Sequence, residues 1–181
     1  MTYLYYTFPN LFPTPSSAFK VVDVKVICVE ALDPKLCSNV LNSKSGGAKD
    51  VDLVTLAQYT IDVARDNITN TINLIKSFII KSGNDPEANA HYETCLMHFD
   101  DENETCVLSD IDYTQELLKK GRYGGVNIGA TAVRIDVGDC IIGVTPDDPP
   151  YPDKSNIPQY ADVILHVVKI ILIISNYLTQ K

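Results

Sequence analysis

His91, Cys95 and His98 stand at i, i+4 and i+7, a phase that lets all three share one face of a helix. Two imidazoles and a thiolate are zinc donors, and Cys106 would be the fourth in a tetrahedral set. The set lacks a carboxylate or a second Cys/His pair at site-like spacing, and Cys95 falls on the apolar stripe of its own helix. The histidines therefore read as flanking a buried cysteine, and no metal is expected. "GRYGGVNIG", residues 121–129, has the glycines of a phosphate loop but neither a preceding strand nor a GK[ST] ending. A turn between two helices accounts for them. "DDENE", residues 100–104, carries carboxylates without the spaced ligands and fixed glycine of a calcium loop, so a solvated loop is expected. No GxSxG, no HExxH and no cysteine with a partnered histidine occurs. No catalytic role and no cofactor follow from these residues. Such a chain acts by docking.

The elements that must carry a docking surface are helical. Leu53, Ala57, Ile61, Ala64, Ile68, Ile72, Ile75 and Ile79 recur every three or four residues, which predicts one long one-sided helix over residues 50–81. Asp85-Pro86 reads as an N-cap followed by proline at the first helical position, and Ala88, Tyr92, Cys95 and Phe99 form the next stripe. The pattern fails across "DDENETC" and resumes at Leu108, Ile111, Leu117 and Leu118, with Gly121 as a C-terminal cap. Val126, Ala130, Val133, Val137 and Cys140 mark a further helix over residues 125–140. A proline-rich linker, residues 145–159, leads to a last helix over residues 160–178 that is apolar almost all round. Asp162, His166 and Lys169 interrupt it, each costly at a bilayer centre, so it is expected at the middle of a bundle and not in a membrane. The one strand-like stretch, "FKVVDVKVICV", is ambiguous. The fold class expected is all-α: four amphipathic elements joined by turns in an up-down bundle.

With 181 residues, 45% of them hydrophobic, the chain can bury one good core. A net charge of −8 disfavours nucleic acid, whose phosphates need clustered Lys and Arg, and permits attraction to a basic protein surface. The five cysteines make no CxxC pair. Together with the sequons at Asn67 and Asn103, the glycosylation candidates, they lean towards an oxidising compartment with one thiol left over. A bridge between Cys95 and Cys140 would staple two helices, worth roughly 4 kcal/mol in the chain-entropy model; one between Cys28 and Cys37 would close a smaller loop worth about 2–3 kcal/mol. Residues 1–23 have no Lys or Arg before Lys20, and Pro9, Pro13 and Pro15 break their apolar run. They are expected to form an irregular segment, a degenerate signal or a misassigned start, ahead of one helical domain over residues 24–179.

The residues around Cys28 and Cys37, with Asp33-Pro34 before the second cysteine, resemble the plant invertase/pectin methylesterase inhibitor family. The similarity continues in order through "DLVTLAQYTIDVA", "DPEANAHYETC", "YTQELLKKGRY", "DVGDC" and "IISNYL", covering residues 24–178. It implies a four-helix up-down bundle preceded by an N-terminal helical hairpin, with Cys28 bonded to Cys37, Cys95 bonded to Cys140, and Cys106 unpaired. It further implies a non-catalytic protein secreted to the cell wall, with the vacuole as the alternative. Such a protein inhibits a carbohydrate-active enzyme by docking over its substrate cleft, one to one, without cofactor.

The target is a pectin methylesterase or an acid invertase. Invertase inhibitors carry Pro-Lys-Phe just after the turn matching Gly121, where this chain reads Arg122, Tyr123, Gly124, Gly125. The Gly-x-Tyr pattern is closer to the Gly-Asp-Tyr of pectin methylesterase inhibitors, with Arg122 reversing the charge, so weakened or altered targeting is expected. The target-binding candidates are Glu93, His98, Asp112, Glu116, Arg122, Tyr123, Asp136 and Asp139, on the exposed faces of the second and third bundle helices. "DDENETC" stands where the family builds one continuous helix; a solvent-facing loop is expected there. Its Cys106 is then either a free thiol in a monomer or the bridge of a covalent dimer. A third reading, from another class, is a stable bundle that interacts with other proteins or serves structurally, without inhibiting.

Overall fold

The computed structural model describes residues 20–101, 105–143 and 151–180. Among these residues there are seven helices: α1 (Val24–Val29), α2 (Pro34–Asn42), α3 (Leu53–Lys81), α4 (Pro86–Phe99), α5 (Val107–Lys119), α6 (Tyr123–Ile142) and α7 (Ile157–Thr179). Four of them start on an aspartate. Asp23, Asp33, Asp52 and Asp85 each accept from a backbone N–H of the first turn, and Pro34 and Pro86 supply an N-terminal position whose missing N–H costs nothing. α5 ends where Gly121, at φ +67°, takes the left-handed conformation that lets Arg122 N–H reach Leu117 O at 2.9 Å. The strand-like stretch is instead α1, with one isolated bridge between Val21 and Asp52.

The stripe read on α3 is its buried face: Leu53, Ala57, Ile61, Ala64, Ile68 and Ile75 are fully buried. Direction follows from paired side chains. Lys76 meets Asp100 and Arg65 meets Asp112, so α3 runs antiparallel to the column made by α4 and α5. Cys95 meets Cys140 and Thr114 meets Gly129, so that column runs antiparallel to α6. Asn127 meets Ser175, and Lys20, bonded to Leu53 through its carbonyl, reaches Tyr177 with its Nζ; α7 therefore returns antiparallel to both α6 and α3. This is the up-down arrangement. In front of it α1 and α2 form a hairpin fastened by Cys28–Cys37, seated on α3 and α7. α7 is one of the four columns, packed on α3, α6 and the hairpin, and not a helix at the middle of the bundle: Ile157, Ile164, Val167, Val168, Ile170, Ile171 and Ile174 are fully buried, though by length and composition alone it would be long and apolar enough to cross a membrane.

Two expectations need restating. Lys20 and Val21 already pack with the body, upstream of the boundary at residue 24. The second column does break after Phe99, but Cys106 is not in a solvent-facing loop. It is 3% exposed at the start of α5, its backbone N–H donating to Ser109 Oγ at 2.9 Å. The adjoining Val107 is fully buried, and the chain must turn inward to place it. Residues 1–19, Asn103 and residues 145–150 of the proline-rich linker lie outside the described residues.

Candidate functional site

α4, α5 and α6 present one continuous side of the bundle, because α5 and α6 approach closely at glycine. A Cβ on Gly125 would stand 3.0 Å from Leu117 Cδ1, and one on Gly129 would stand 2.4 Å from Thr114 Oγ1. Gly125 and Gly129 of "GRYGGVNIG" therefore serve helix packing, while Gly121 makes the turn. Thr114, fully buried, turns its hydroxyl back to Asp110 O at 2.7 Å.

The eight candidates divide by surroundings. Glu93 is exposed and accepts from Asn89 Nδ2 at 2.8 Å. Asp112 accepts from Arg65 Nε at 2.8 Å, across to α3, and Gln115 accepts from the same guanidinium. Glu116 pairs with Lys120 one turn on, which holds its carboxyl below the usual range. Arg122 is exposed at the N-cap of α6 without a capping bond, and Tyr123 beside it packs partly onto the core. His98, Asp136 and Asp139 come together: one ligand atom from each lies within 4.8 Å of the others, on partly buried side chains.

Asp136 is the most perturbed of these. Partial burial, then the carboxylates of Asp110 and Asp139, push its carboxyl from 3.8 up to about 6. Asp110, on the first turn of α5, is raised by burial while its hydrogen bond with Asp136 pulls the other way. Asp110 escaped sequence reasoning, since its neighbours come from a helix some 26 residues on and no local spacing signals them.

The zinc set suggested by His91, Cys95, His98 and Cys106 is dispersed. Cys95 is bonded to Cys140, and Cys106 is a buried free thiol whose Sγ lies 3.7 Å from Asp101 O. His91 stacks on Tyr151 at 4.4 Å between ring centres, with its Nε2 buried and 3.6 Å from Asp153 Oδ2. Burial lowers its pKa despite that carboxylate. Asp153 also accepts from Tyr92 Oη at 3.0 Å; burial and Asp153 together push the phenol up to about 12. This cluster pins the end of the linker to α4. Of the two glycosylation candidates, Asn67 lies within α3 with Nδ2 donating to Val63 O at 2.7 Å, a poor acceptor geometry once folded.

The two bonds implied by the resemblance, Cys28–Cys37 and Cys95–Cys140, are both formed, with Cα separations of 5.5 and 4.5 Å. Residues 22–174 match the family model described as "Plant invertase/pectin methylesterase inhibitor". The chain belongs to that family. Members of the plant invertase/pectin methylesterase inhibitor family are inhibitors and not enzymes, so this chain inhibits and does not catalyse. Two solved structures are similar. The crystal structure of mutant form A of a pectin methylesterase inhibitor from Arabidopsis is 26% identical with TM-score 0.70, covering 87% of this chain and 98% of the other. A pectin methylesterase inhibitor from Arabidopsis thaliana is 24% identical with TM-score 0.62, covering 87% and 97%, and shares the fold. No curated protein matches the sequence. Proteins of the family are typically secreted to the cell wall.

Proposed function

We propose that this protein inhibits a pectin methylesterase, laying the side formed by α4, α5 and α6 over the enzyme's substrate cleft in a non-covalent one-to-one complex. The observation that carries the target is the 26% identity, over nearly the whole of both chains, to a solved pectin methylesterase inhibitor. The sequence after Gly121 agrees: Arg122-Tyr123 keeps the Gly-x-Tyr pattern and has no Pro-Lys-Phe.

A docking inhibitor needs a surface that holds its shape, because ordering side chains and loops on binding subtracts from affinity. The bridge at Cys95 and Cys140, the close α5–α6 packing and the Arg65–Asp112 pair supply that rigidity. Most exposed candidates on this side are carboxylates, complementary to a basic rim, and Arg122 is the exception that weakens pairing there. The inhibitory unit is residues 24–179 with Lys20 and Val21 packed onto it, acting in the cell wall as a secreted monomer.

The test is titration of the purified, oxidised protein against a plant pectin methylesterase and an acid invertase, from mildly acidic to neutral pH. Saturable one-to-one loss of esterase activity with invertase untouched is the expected result. Inhibition of invertase alone, or no change in either enzyme, overturns the reading.

A further inference from the structure

We propose that His98 of α4 with Asp136 and Asp139 of α6 forms a binding site for a divalent transition-metal ion, with zinc as the ion to test. One imidazole nitrogen and two carboxylate oxygens, each within 4.8 Å of the others, converge from two helices. Imidazole with carboxylates suits zinc and its neighbours, whereas calcium and magnesium prefer oxygen throughout.

The scaffold behind the donors is fixed. Cys95 precedes His98 by three residues and Cys140 follows Asp139 directly, so the disulfide clamps both helices beside the site with Cα atoms 4.5 Å apart. Neither His98 nor Asp139 has a side-chain hydrogen bond or ion pair among the described residues. Asp136 engages Asp110, which would orient it as an outer-shell partner orients a ligand. The charges acting on Asp136 are those of Asp110 and Asp139, both negative, and a cation would neutralise them. Zinc bonds of about 2.0–2.2 Å bring neighbouring ligand atoms to roughly 3.3 Å, so the three side chains close inward by about 1 Å, a rotation that partly exposed side chains allow. Water completes the coordination.

The proposal concerns the ion alone and holds whichever enzyme is the target. It is tested on the full chain, stripped with a chelator, by calorimetric titration with zinc chloride at neutral pH. One saturable equivalent is expected, with affinity falling about ten-fold or more in both His98→Ala and Asp139→Asn. Zinc should also raise the thermal midpoint of the parent but not of these variants. His91→Ala and Cys106→Ser should bind as the parent does, and His98→Gln guards against a folding defect in the alanine variant. No saturable binding, equal binding by the His98 and Asp139 variants, or loss confined to the Cys106 variant overturns the site.

Discussion

Gly129 of α6 lies against Thr114 of α5 so closely that a Cβ would come within 2.4 Å of the threonine hydroxyl. That hydroxyl is fully buried and already bonded to Asp110 O, so it has nowhere to retreat. Gly129→Ala should cost roughly 1–3 kcal/mol of stability, overpacking outweighing the alanine helix preference of about 1 kcal/mol. Thr114→Ala in the same chain should recover part of it. Gly138, with nothing near its would-be Cβ, is the contrast: Gly138→Ala should stabilise by about 0.5–1 kcal/mol. Urea melts of the four proteins check the pair.

Removing the Cys95–Cys140 bond as a double serine variant should cost about 4 kcal/mol, against about 2–3 kcal/mol for the Cys28–Cys37 loop. The difference arises because the first bond closes a separation of 45 residues and the second only 9. The chemical midpoints of the two variants should rank in that order.

Asp136 gives a pH signature. Its folded pKa, about 6, lies above the ordinary 3.8, so the folded state binds its proton more tightly than the unfolded state does. The resulting penalty is absent below the ordinary value, grows between the two, and is complete above about pH 6. Asp136→Asn should therefore stabilise the protein at pH 7 by about 1 kcal/mol, once partial solvent exposure is allowed for, and the gain should vanish near pH 4. Denaturant melts of parent and variant with chelator present, at both pH values, measure it.

Arg122 gives the functional counterpart. Exposed at the start of α6 with no side-chain capping bond, it is free to be exchanged without loss of fold. Restoring an acidic residue, Arg122→Asp, should strengthen esterase inhibition by about 1–3 kcal/mol, roughly five-fold or more in the dissociation constant, with the melting midpoint held or slightly raised because aspartate also caps α6. Inhibition titrations at low and high salt should show the gain shrinking as salt rises.

Cys106 should resist alkylation in the native protein and react readily in guanidinium, because its thiol is 3% exposed. A native mass without adduct and a non-reducing gel showing only monomer are expected.

Much of the bundle was legible. The stripes of α3, α4 and α6 carry their own phase, since a helix of 3.6 residues per turn buries whatever recurs at three and four, and α7 was legible from its apolar length instead. Asp85-Pro86 and Gly121 marked helix ends because cap geometry is local. Apart from the Cys95–Cys140 bridge, relations across helices were not legible. His98, Asp136 and Asp139 meet only once Cys95–Cys140 sets the register, and Asp110 joins them from a third helix. His91, Tyr151 and Asp153 meet across some 60 residues and a proline-rich connection whose path no periodicity encodes. Cys106 looked exposed because the polar run before it hid the phase in which α5 begins.

The interruption between Phe99 and Val107 leaves two helix termini halfway along one side of the bundle. Peptide dipoles that would cancel inside an unbroken rod surface here instead, negative at the end of α4 and positive at the start of α5. His98 sits in the last turn of the one and Asp110 in the first turn of the other, each of the sign that its terminus attracts when ionised. An approaching enzyme would meet an electrical seam with two poles, where a single rod would offer an almost featureless flank.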